Sequence, residues 1–157
     1  MKLKIDGKQN NPILPRAVEP LLADADASDL RVLVYAALRT ADGASLAYLG
    51  DCVFELWVRR RLLLSGIKGT GALNEASRRY VTAKSQCAAF HRIEEMLTEE
   101  ETAYFRRGRN SPHLSVPRSA SGAEYRTASG FETLCAALYL AGDETRLDEL
   151  LTKAFEE

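Results

Sequence analysis

Apolar residues in this chain recur at every third or fourth position and nowhere alternate with period two over a useful length, so the predicted fold is all-α. Leu46, Leu49, Val53, Leu56, Trp57 and Leu63 form one such stripe and predict a helix from about Ser45 to Leu64. "SGIKGTGAL" ends it with three glycines. A second strongly apolar helix is predicted from about Tyr125 to Ala141, with Phe131, Leu134, Cys135 and Leu138 on one face and Gly142 as its stop. Between these two lie a short piece around Leu73 to Arg79 and a longer helix from about Val81 to Met96. A further helix to about Arg107 is opened by a capping box, Thr98 with Glu101 three residues on. Ser28 can cap a helix through about Arg39, and a last helix is expected from about Asp143 to Phe155. Residues 1–27 contain the proline-broken "NNPILPRAVEP" and read as an irregular arm; residues 28–157 read as a single domain. The stretch from Gly108 to Ala123, rich in glycine, serine and proline, reads as a loop.

Net charge is only −1, which at first argues against a polyanionic partner. Its distribution argues the other way. Residues 57–92 carry Arg59, Arg60, Arg61, Lys68, Arg78, Arg79, Lys84 and Arg92 against the single acid Glu75. Residues 102–126 carry Arg106, Arg107, Arg109, Arg118 and Arg126 against Glu124. Acids gather from Glu94 to Glu101 and again beyond Asp143, so a positive face can exist on a near-neutral molecule. No apolar run approaches the roughly 20 residues of a membrane span, and "MKLKIDGKQNNPILPR" lacks the apolar segment of a secretory signal. Cys52, Cys87 and Cys135 are odd in number, have no metal-knuckle spacing and sit in helical patterns, which predicts buried free thiols in a reduced, cytoplasmic protein.

Two carboxylates stand out because they lie on the two most apolar helices: Asp51 and Glu132. A charge in such a place must sit at the rim, be paired, or bind a cation, since an unpaired buried charge is costly. Glu55, one turn from Asp51, can either support that residue or pair with Arg59 a further turn on.

"LAYLGDCVFELWVRRRLL" resembles the signature helix of the ribonuclease III family, and "YRTASGFETLCAALYL" is similar to the family's second catalytic helix. Between them, "VTAKSQCAAFHRIEEMLTEEETAYFRRGRN" resembles the mini-ribonuclease III branch, which has the nuclease domain without a double-stranded-RNA-binding domain. The likeness covers roughly residues 44–155. It implies a ribonuclease III-type helical bundle with Asp51 and Glu132 as the catalytic, magnesium-binding carboxylates. Longer members have two further carboxylates, at positions occupied here by Ala47 and Ser129. The resemblance also implies a homodimer built on the signature helices, for which Phe54 and Trp57 are natural anchors, although either can equally be core. It implies trimming of large-subunit ribosomal RNA precursors.

Phosphodiester hydrolysis needs an activated water and neutralisation of charge, and magnesium needs only one or two carboxylates plus substrate phosphate to be held. Double-stranded RNA hides its base edges in a deep, narrow groove, so a protein grips its phosphates and 2′-hydroxyls. Lys84, Arg107, Arg109 and Asn110 are the first candidates for that grip, because they lie in the family-like stretches. Two readings from other classes compete. One is a non-catalytic RNA-binding or assembly protein on the same fold, against which the retention of both carboxylates weighs. The other is an all-α nucleotide pyrophosphohydrolase, for which "EEMLTEEE" has the wrong spacing. A histidine-based metal hydrolase is set aside, because His91 and His113 are the only histidines and lack ligand spacing.

Overall fold

The computed structural model describes residues 34, 36–112 and 121–156; the expected N-terminal arm, most of the expected 28–39 helix and residues 113–120 lie outside them. Residues 36–40 are helical. A compact unit spans Thr40–Glu157, and its described residues contain helices and no strand. Helix α1 is Gly43–Leu64, α2 Thr70–Val81, α3 Ala83–Ile93, α4 Glu99–Arg109, α5 Gly122–Leu140 and α6 Glu144–Ala154. A single 3-10 turn, Glu94–Met96, follows α3, where one continuous helix to Met96 is expected from the sequence.

Helix starts follow side-chain chemistry. Asp42 accepts from the Ser45 amide at 2.9 Å, so α1 opens slightly before Ser45. The Thr98–Glu101 capping box forms as expected, each side chain bonded to the other residue's amide. Ser121 and Glu124 form a second one, which starts α5 before Tyr125 and takes Gly122 and Ala123 out of the expected loop. Gly108 likewise lies inside α4. At the other end of α5, Gly142 adopts φ +74°, a left-handed conformation that glycine takes without steric cost, and the Asp143 amide bonds the Leu138 carbonyl.

Helix α5 is the centre of the molecule. From Thr127 to Leu138 every residue except Glu132 is buried, with α1, α3 and α4 packed around it. Phe54 meets Phe131 edge to face at 5.5 Å, and Phe90 stacks on Phe105 at 3.7 Å. Such aromatic pairs add about 0.5–1.5 kcal/mol each beyond their area burial. Helix α6 closes one side through Leu147, Leu150 and Leu151, and Arg146 reaches from it to Glu101 at 2.8 Å and to the Met96 carbonyl.

Helix α1 corrects the sequence reading of its stripe. Leu46, Val53 and Trp57 are buried, but Leu56 and Leu63 are 66% and 65% exposed. The inward positions are instead Leu46, Ala47, Gly50, Val53, Phe54, Trp57, Val58 and Leu62. A helix apolar on nearly all faces does not declare from periodicity which face turns in. Cys52 follows from the same error: it lies on the outer face and is exposed, Cys87 is half-buried, and only Cys135 is buried as expected.

Candidate active site

Three helices approach closely enough to bring α1 and α5 backbone to backbone. A Cβ added at Gly50 would collide with the Glu132 carbonyl, so glycine before Asp51 is what lets the two helices touch there. Gly108 does the same for α4, whose backbone rests on Thr133 and on the Ser129 carbonyl. Thr133 locks this junction by donating its hydroxyl to the Gly43 and Ser129 carbonyls at 3.1 and 2.8 Å. Asp51 is carried into place by the residue before it, and Glu132 by the close contact at its own backbone.

The two carboxylates are thereby electrostatic neighbours. Glu132 is half-buried on the otherwise buried face of α5, and burial first, then the charge of Asp51, pushes its carboxyl up to about 8. Asp51 itself is exposed, and it too is raised, by partial desolvation and then by Glu55. The more exposed Asp51 gives up its proton first, and the charge left there opposes ionisation of Glu132. Cys135, one turn beyond Glu132, is fully buried and its thiol is held well above the ordinary range, so it is an inert neighbour. Glu55 is ion-paired with Arg59, as one of its two expected roles requires, and its charge also raises Asp51.

Ala47 and Ser129, where longer relatives of the signature pattern carry carboxylates, are 5% and 2% exposed. Both positions are given to packing, and among the described residues no group of three or more His, Cys, Asp or Glu side chains is placed to share a metal ion. Two neighbouring carboxylates with raised pKa values, offering hard oxygen donors only, still fit a magnesium ion. Such an ion keeps several of its waters and takes one or two protein carboxylates.

Of the expected phosphate contacts, Lys84, Arg109 and Asn110 are exposed. Lys84 lies near enough to Glu124 on α5 to stabilise its charge. Arg107 is half-buried and donates to the Ala41 carbonyl, so part of its bonding capacity serves the structure. The Arg107–Asn110 end of α4 rests on α5 at Ser129 and Thr133, one turn or less from Glu132. Phe54, fully buried, meets Phe131 edge to face and stacks on Phe155, and Trp57 is 8% exposed with its Nε1 donating to Asp148 at 2.8 Å. Within one chain these two residues are core. The apolar surface that α1 turns to solvent is carried by Tyr48, Leu56, Leu63 and Leu64. A cavity of about 290 Å³ between α1 and α2, lined by Arg59, Leu62, Leu63, Leu73, Asn74 and Ser77, takes no lining from the carboxylate site. His91, exposed on α3, pairs with Glu94. Gln86 is the residue the sequence reading missed: it is buried on α3 and its side chain lies beside Glu132.

Residues 44–143 match the model of the ribonuclease III domain. A mini-ribonuclease 3 of Symbiobacterium thermophilum is 46% identical over 110 residues, covering 70% of this chain and 85% of that protein. A mini-ribonuclease 3-like protein of Ilyobacter polytropus is 42% identical over 120 residues, covering 76% and 94%. A crystal structure of a Fusobacterium nucleatum protein superposes with a TM-score of 0.68 at 30% identity, over 76% of this chain and 96% of that one. The chain belongs to the ribonuclease III family, in its mini-ribonuclease III branch. It is accordingly an endoribonuclease of the class that cuts double-stranded RNA.

Proposed function

We propose that this endoribonuclease is magnesium-dependent, works as a homodimer, and matures the precursor of large-subunit ribosomal RNA in the cytoplasm. The observation that carries the metal reading is the pairing of Asp51 with Glu132, whose carboxyl stands at about 8. Two adjacent carboxylates with raised pKa values are an unfavourable arrangement that a divalent cation relieves. Magnesium held by Asp51 and Glu132 would supply a water of lowered pKa and offset charge on the phosphate. Lys84, Arg109 and Asn110 bind the backbone of the duplex, and Arg107 contributes whatever bonding capacity its Ala41 contact leaves.

The two strands of a duplex are related by a local two-fold axis, so a two-fold dimer offers one site to each. Tyr48, Cys52, Leu56 and Leu63 follow one another at helical spacing along the outside of α1, on the side away from its buried face. An exposed apolar stripe of this kind is a surface for a partner, and it replaces Phe54 and Trp57 as the proposed contact. The test is incubation of the purified protein with a long RNA duplex, with and without magnesium. Metal-dependent cutting of the duplex, with single-stranded RNA spared, is expected; cutting in chelator, or none with metal, would overturn the reading.

A further inference from the structure

Six polar or charged residues are buried among the described residues, and most are satisfied: Glu101 by Arg146 and the Thr98 amide, Thr133 by two carbonyls. Gln86 is different. It is 1% exposed, sits on α3 in line with the core residues Ala89, Phe90 and Ile93, and its Nε2 has no partner of full hydrogen-bond geometry. A buried amide donor left open carries a stability cost that a methionine or leucine of similar bulk would avoid. Position 86 therefore carries an amide where packing alone favours an apolar side chain.

Its neighbour gives the reason. The Gln86 side chain faces the Glu132 carboxylate within reach of a hydrogen bond, although its Nε2 does not close one with full geometry. Helix α3 is well anchored to present it: Thr82 caps its start, and Phe90 stacks on Phe105 at its other end. A carboxylate that holds a cation with one oxygen has the other free to accept a hydrogen bond. Such outer partners fix the orientation of the ligand.

We infer that Gln86 is a positioning residue of the nuclease site, donating its side-chain amide to Glu132 and holding that carboxylate toward the cation shared with Asp51. The inference rests on the metal reading proposed above. It assigns to α3 a part in the site that otherwise belongs to α1 and α5 alone.

The test uses Gln86→Met and Gln86→Leu, which keep the bulk and remove the donor, with manganese as the probe. Without RNA, manganese affinity is measured by calorimetry and by the rise it causes in melting temperature, alongside wild type and Asp51→Asn. The expected result is a melting temperature in chelator equal to or above wild type, with manganese affinity reduced about tenfold. Cleavage should then need more magnesium for half-maximal rate, while KM for the duplex is unchanged. Wild-type manganese affinity in both variants overturns the inference. So does unfolding of both variants in chelator, which would make Gln86 a packing residue. If wild type binds no manganese, or Asp51→Asn binds it equally well, the metal reading itself fails and this inference with it, a result separable from the variant-specific one.

Discussion

Glu132 is the one residue between Thr127 and Leu138 that is not buried, and its proton is the most responsive feature of the site. In the unfolded chain it titrates near 4.5; in the folded chain it is raised to about 8 by burial and by Asp51. Between those values the native state holds a proton that the unfolded state has lost. The stability this contributes is complete below pH 4.5 and is lost as pH rises through about 8. In chelator, the unfolding free energy of the wild type from denaturant melts should fall from pH 5 to pH 8.5 by on the order of 1–3 kcal/mol, allowing for screening at a half-exposed site. Glu132→Gln should abolish most of that slope, and magnesium should do so in the wild type by favouring the ionised form. The same substitution, and Asp51→Asn, should each lower duplex cleavage roughly 100-fold or more, because several kcal/mol of charge stabilisation is lost. Gel-shift binding of duplex RNA should survive in both.

At the scale of elements, several helices were legible in the sequence because they begin or end on local chemistry. Thr98 with Glu101 caps α4 as its spacing implies, and Gly142 stops α5. Ser121-Gly-Ala-Glu124 carries the same capping signal, hidden by the serine-rich stretch in front of it, which reads as loop. The two carboxylates were legible because a charge on an apolar helix demands an explanation. What periodicity could not supply was direction. Helix α1 is apolar on both its inner and outer faces, so Leu56 and Leu63 look like core, and Phe54 and Trp57 look like anchors for a partner. Gln86 left no signal, since an amide in "VTAKSQC" has meaning only once α3 is seen against α5. The Gly50 contact was equally silent. There, Gly50→Ala should destabilise the protein by about 1–3 kcal/mol or more, because the methyl group meets backbone that cannot rotate away. Thermal melting checks the cost. Cleavage per folded molecule should fall as well, since Asp51 and Glu132 are forced apart.

For the whole molecule, assembly and grip are separable. Leu56→Glu places a charge in the middle of the outer stripe of α1 without touching the core, so sedimentation should show a lower oligomeric state and cleavage should fall with it. A fully active monomer would show that the stripe is mere surface. Lys84→Ala and Arg109→Ala should raise KM for duplex more than they lower turnover at saturation, and each should flatten the log–log salt dependence of binding by roughly one unit. Arg107→Ala should do this and also lower the melting temperature, because Arg107 bonds the Ala41 carbonyl. The meeting of Gly50 with Glu132 has a bearing on how such an enzyme can be made safely. The two halves of its site lie about half the chain apart and join only where α1 and α5 touch. Contacts so distant in sequence close late. With Asp51 and Glu132 as the proposed catalytic pair, a nascent chain that has extruded α1 but not α5 is no nuclease, and the ribosome translating it is not exposed to its cutting until synthesis has carried α5 clear of the exit tunnel.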